Sequence, residues 1–196
     1  MTNTDDPQGA FDELPFPHET LTSERSHPNH WYNRAADLRT SAGATWYAIR
    51  FQPDDMNEKL GLPGGNSANV ACYPVYHLLC GLAIEVLLKA VIAQREAPPE
   101  SHDLLFLANR AGIPLKDKEK RLMKFYGDAL VWAGRYPTPR NCSDTKLLDH
   151  YEFATSVLTM PVKMGSIQLV TGNGATEWEK FHALWKRLAE HFSFQN

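Results

Sequence analysis

Three cysteines in 196 residues, none spaced as Cys-x-x-Cys, cannot build a disulfide framework. Cys72, Cys80 and Cys142 are also an odd number, which fits a reducing compartment. Long hydrophobic runs are equally scarce. The greasiest stretch, residues 78–93, is interrupted by Glu85 and Lys89 and is too short and too charged to span a bilayer. The opening residues MTNTDDPQGA are acidic and lack the apolar segment of a secretory signal. These absences lead us to expect a soluble, cytoplasmic protein with no membrane partner.

A strong excess of either charge is missing too. Formal net charge is −3. Residues 1–27 hold six acids and one arginine, and the remainder holds 17 acids and 19 bases. The acidity therefore belongs to an N-terminal tail, expected to be disordered, and residues 28–196 form a nearly neutral single domain. Such a body does not advertise nucleic-acid binding, although it leaves room for a local basic patch. No Gly-rich phosphate loop and no Gly-x-Ser-x-Gly occurs. Glu179 and His182 form one Glu-x-x-His, whereas a di-iron bundle needs two. Cys72, His77 and Cys80 cluster in sequence but not on one helical face. We expect no cofactor and no metal.

Helical periodicity is what the sequence has in abundance. Trp31, Ala35, Leu38, Ala42, Thr45, Trp46 and Ile49 recur at steps of three and four, predicting a helix that begins at about 29 and ends at a loop over 52–68. A second helix, predicted from Pro74 to Gln94, is apolar almost all round and belongs at the centre of a bundle. A short helix follows, with Ser101 as N-cap and Gly112 at its end. Further helices are predicted over 116–133, over 144–159 with Asp144 as N-cap and Leu147, Tyr151, Ala154 and Leu158 inward, and over 176–193. Residues 160–175 read as an irregular loop with a brief extended piece at SIQLV. The fold class is all-α, an up-down bundle of about five long helices plus a short one.

Steps of four place His77, Gly81, Glu85 and Lys89 on one row of the central helix. Glu85 and Lys89 are in the favourable order for an ion pair, and Gly81 admits close approach of a neighbour. The pair reads as structural, or as the polar floor of a ligand groove.

The run CGLAIEVLLKAVIAQ, then SHDLLFLANRAGI, then GRYPTP after the next helix, resembles a HEPN domain. That family shows a Glu-x-x-x-Lys-Ala helix, here Glu85, Lys89 and Ala90. It shows a His-Asp-Leu helix start, here His102, Asp103 and Leu104, and a later Arg-Tyr-Pro, here Arg135, Tyr136 and Pro137. The likeness covers roughly residues 30–160. It implies a helical bundle, often dimeric, that binds RNA or a nucleotide. In many members it implies metal-independent RNA cleavage in toxin-antitoxin or defence systems, with an antitoxin or a nucleotidyltransferase as partner. Nuclease members carry an Arg, four to six residues, then a His. The one match here is Arg95 to His102 across EAPPES, and His102 already belongs to the His-Asp-Leu start. We therefore expect a non-catalytic binding or interaction module, with a ribonuclease using Arg95 and His102, or a purely structural oligomerisation bundle, as the alternatives.

The RYPTPR segment has a physical reading of its own. Two prolines stiffen it and fix the spacing of Arg135, Tyr136 and Arg140. Two guanidinium groups and a phenol suit a phosphate and a stacked base; alternatively Arg135 caps the carbonyls that end the preceding helix. The expected RNA- or nucleotide-binding residues are thus Arg135, Tyr136 and Arg140, with Lys89 and His102 lining the same groove. The basic run KDKEKRLMK, residues 116–124, reads as a solvated helix face.

Overall fold

The computed structural model describes residues 21, 24, 26–51, 53–62, 68–139, 142–164 and 167–195. The expected disordered tail lies almost wholly outside the described residues, as does Arg140. The described chain is mostly helical, with one small hairpin, and the all-α expectation holds.

α1 (Pro28–Phe51) lies along α3 (Ala68–Ala93), the most extensive helix pairing in the protein. Ala35 and Ala42 are fully buried on α1, and their small side chains let the two helices approach. Between them the expected loop contains a short helix, α2 (Pro53–Lys59). Pro53 suits a first turn, and Lys59 pairs with Asp55 one turn back at 3.1 Å. Gly61, at φ +62°, ends it.

α3 starts at Ala68, upstream of the expected start at Pro74, which lies inside the helix. Proline cannot bond the carbonyl four residues back, but that residue, Val70, is 69 % exposed, so water can take the bond. The rest of α3 is the core: Tyr76, Cys80, Ala83, Ile84, Leu87, Leu88, Ala90 and Ile92 are fully enclosed. Val70–Ala93 is long and apolar enough to cross a bilayer, but its greasiest part is mostly buried against the other helices.

α4 (Leu104–Arg110) is capped by Asp103 rather than Ser101. Asp103 Oδ1 accepts from the Leu105 and Phe106 amides at 2.9 and 3.1 Å. Ser101 stands one step back and accepts from the Asp103 amide. Gly112, at φ +74°, closes the helix. Its amide and that of Ile113 bond back to Asn109 and Ala108, and Ile113 is buried.

α5 (Asp117–Asp128) runs on into a π-helical turn, Ala129–Ala133, stopped by Gly134. Its backbone packs directly on Gly81: a Cβ there would meet the Tyr126 carbonyl oxygen at 2.6 Å. α6 (Asp144–Leu158) is capped by Ser143 rather than Asp144. Ala154 and Leu158 face the body as expected, but Tyr151, also expected inward, is exposed, and His150, Phe153 and Val157 face the body instead.

The expected irregular loop is an antiparallel hairpin, β1 (Thr159–Met164) and β2 (Ile167–Gly172), with Val162 opposite Leu169. Asn173 pins its base by donating its side-chain amide to the Val157 and Thr159 carbonyls. α7 (Trp178–Ala189) returns to the core with Phe181, Leu184, Trp185 and Leu188 buried. An Arg187–Glu119 ion pair of 2.7 Å ties it to α5. Phe192 stacks on Tyr32 at 4.6 Å, and Gln195 exchanges hydrogen bonds with Asn29, so the chain end returns to the start of α1.

Candidate ligand groove

The two charges on α3 are buried more completely than a half-exposed helix pair would be: Glu85 is 4 % and Lys89 8 % exposed. Lys89 Nζ lies 2.6 Å from Glu85 Oε1. A third group joins them. His102, two residues before α4, places Nδ1 3.0 and 3.1 Å from the two Glu85 oxygens. An ionised carboxylate only accepts, so Nδ1 carries the proton and the ring orientation is fixed. The His102 side chain is 65 % exposed, and its Nε2 has no hydrogen-bond partner among the described residues. A buried ion pair thus holds one imidazole edge and leaves the other at the surface.

His102 lines a concavity of about 350 Å³ between α4 and α5, with Asp103, Lys124, Asp128, Val131 and Trp132. Val131 and Trp132 also form a wall of a second concavity of about 730 Å³, whose other sides are Arg135, Tyr136, Pro137, Thr138 and Pro139. The two adjoin along the π-helical turn, with Val131 and Trp132 as the wall between them, and together they make the candidate groove. Such turns recur at functional sites. Here Val131 becomes exposed and Trp132 half-exposed. His150 of α6 steadies Trp132 edge-on at 4.5 Å and bonds Asp128 Oδ2 at 3.2 Å.

At the far end Arg135 donates to the Val131 carbonyl, the helix-capping role expected of it. Its guanidinium also lies 5.3 Å from the centre of the exposed Tyr136 ring. Lys89 reaches His102 only through Glu85 and, contrary to expectation, lines neither concavity, whereas Arg135 and Tyr136 line the second one together.

Arg95 and His102 do not meet within one chain. Arg95 donates to the Arg110 carbonyl at the C-terminal end of α4, while His102 stands before its N-terminus. A seven-residue helix puts roughly 10 Å between those ends. His77, on the same row of α3, is enclosed beside Phe125, and burial pushes its pKa down to about 4. Among the described residues no three His, Cys, Asp or Glu side chains converge as a metal would require.

Asp128, Trp132 and His150 are site residues that sequence reasoning missed. The only signal was an aromatic on the helix that precedes RYPTP. Comparison with known protein families, characterised proteins and solved structures finds no match. The resemblance to HEPN domains therefore rests on its three motifs.

Proposed function

We propose that this chain is a HEPN-like helical bundle that binds a nucleotide or single-stranded RNA in the His102–Tyr136 groove without cleaving it. The carrying observation is a pair of adjoining concavities that share Val131 and Trp132, with an oriented imidazole lining one and a guanidinium beside an exposed phenol lining the other. Phosphate belongs at the Arg135 end, where among the described residues no carboxylate lines the wall. A base stacks on Tyr136 or Trp132. Asp103 and Asp128 make the His102 end unfavourable for phosphate but suited to ribose hydroxyls or base amino groups. Titration of wild type, Arg135→Gln and Tyr136→Ala with AMP and a short single-stranded RNA tests the reading. Both variants should bind more weakly while staying folded; unchanged binding removes the groove from the account.

One observation favours cleavage as a second reading. A carboxylate-held imidazole with a free Nε2 is the geometry of a general base. The arginine of a nuclease pair would then come from a second copy. RNA cleavage that disappears in His102→Ala would replace the binding reading with that one.

We also propose a homodimer, formed through the hairpin. Met160, Val162, Ile167 and Leu169 share one face of the ribbon by register, and each is more than a third exposed. Isolated two-stranded ribbons are marginal in water. That face carries no charge; Lys163 and Gln168 point to the other side. Like-on-like packing across a two-fold axis brings no like charges together, so a second copy is the fitting occupant. Leu169→Lys should give a monomer in sedimentation under conditions where wild type is a dimer.

A further inference from the structure

A second concavity with ligand chemistry lies away from the groove, where α1 meets the start of α7. Arg39, Thr40, Gly43, Trp46, Tyr47 and Trp178 line an open surface concavity of about 460 Å³, within the range of small-molecule sites. Its floor is built closely. The Trp178 indole lies on the Gly43 backbone, where a Cβ would meet it at 2.8 Å. His182 stacks on Trp178 at 5.5 Å with ring planes 20° apart.

Arg39 is the unusual member. Among the described arginines, only Arg34 and Arg39 make no hydrogen bond or ion pair. Arg34 is exposed, so water serves it; Arg39 is half-buried. Its guanidinium lies 4.4 Å from the centre of the Trp185 ring, and its Nε is enclosed without a partner. Two neighbours on α7, His182 Nδ1 and Trp185 Nε1, are likewise enclosed and unpartnered. The carboxylate at this crossing, Glu177, is already taken by Trp46 Nε1 at 3.1 Å and by Arg50 at 3.6 Å. Thr40 spends its hydroxyl proton on the Ala36 carbonyl. Local charge is positive: after burial, Arg39 and Lys186 are what hold His182 below the ordinary imidazole value. A partly buried cation without an anion is costly, and buried polar groups in native proteins are paired with few exceptions.

We infer that this concavity binds a planar aromatic anion, with the anionic group on the Arg39 guanidinium and the aromatic ring against the exposed Tyr47 phenol. Arginine stacked on an indole is preorganised, since one of its faces is already committed. The exposed phenol of Tyr47 supplies a stacking face that moves little on binding. A phosphate-bearing and a carboxylate-bearing ligand share this chemistry.

Calorimetric titration with AMP, indole-3-acetate and inorganic phosphate separates the sources. At least one aromatic anion should bind wild type at least tenfold more tightly than phosphate. Arg39→Gln should weaken that binding at least tenfold, since a charge-assisted contact is lost. Tyr47→Ala should weaken it several-fold. Both positions are at or near the surface, and melting temperatures check that the variants fold. Tyr136→Ala is the control for the other groove. Loss in Arg39→Gln with retention in Tyr136→Ala assigns the binding to this site, whatever the outcome at the groove. If neither aromatic anion outbinds phosphate, or if folded Arg39→Gln binds as wild type does, the inference is wrong.

Discussion

Replacing Glu85 by alanine removes the centre of a three-residue arrangement. Lys89, 8 % exposed, would keep its charge with no partner, and His102 would lose the acceptor that orients it. Breaking a buried pair in this way costs about 3–5 kcal/mol. For a chain of this length each kcal/mol lowers the melting temperature by roughly 2–4 °C, so Glu85→Ala should melt on the order of 10 °C below wild type. Glu96→Ala is the matched control. Its pair with Arg110 is also 2.6 Å long, but it is exposed and screened by water, so removing it should leave the melting temperature close to that of wild type. Thermal and urea denaturation followed by circular dichroism read both. Lys89→Met in the Glu85→Leu background should recover much of the loss, because an apolar pair of similar volume needs no compensating charge. If Glu85→Ala costs no more than Glu96→Ala, or if a Glu85/Lys89 double-mutant cycle shows no coupling, the buried-pair reasoning fails.

Gly81→Ala should destabilise by about 1–3 kcal/mol, read by melting temperature, because the new methyl meets the Tyr126 carbonyl oxygen and the Leu130 side chain. His77 contributes to acid unfolding. Burial lowers its pKa to about 4 from 6.5, so the folded state prefers the neutral ring. Its contribution is whole above pH 6.5 and declines as pH falls towards 4, because the unfolded chain takes up the proton first. His77→Phe should flatten stability against pH across that window; an unchanged slope would contradict the assignment. Asn173→Ala should loosen the hairpin base without unfolding the bundle, seen as faster amide exchange in residues 159–172, since its side chain holds two carbonyls.

All the long helices were legible in the sequence, α1, α5, α6 and α7 by their three-four pattern and α3 as the enclosed centre, and the short α4 by its capping residues and closing Gly112. Pro74 misled the start of α3, because a proline on an exposed early turn costs little. The extended piece at SIQLV was legible and corresponds to β2, but β1 and the hairpin pairing escaped because their two-residue alternation, Met160, Val162, Ile167 and Leu169, is carried by residues that are exposed rather than buried. Pro161 masked them further. Of the groove, Glu85, Lys89, Arg135 and Tyr136 were visible as local spacings. That His102 closes on Glu85 is a tertiary fact, set by how α4 folds back on α3. Trp132 was hidden by the π-helical turn, which breaks the period that would have marked its direction.

The central claim is that the His102–Tyr136 groove binds nucleotide or RNA, and affinity against salt tests it most directly. Wild type should bind a short single-stranded RNA with an affinity that falls as salt rises, because phosphate contacts release counterions. Tyr136→Ala should bind more weakly with nearly the same salt slope, since stacking depends little on salt. Arg135→Gln should lose both affinity and part of the slope, with melting temperature monitoring the helix end it also caps. If the wild type does not bind, or if the three folded proteins share one affinity and one slope, the groove is only the place where a helix stops.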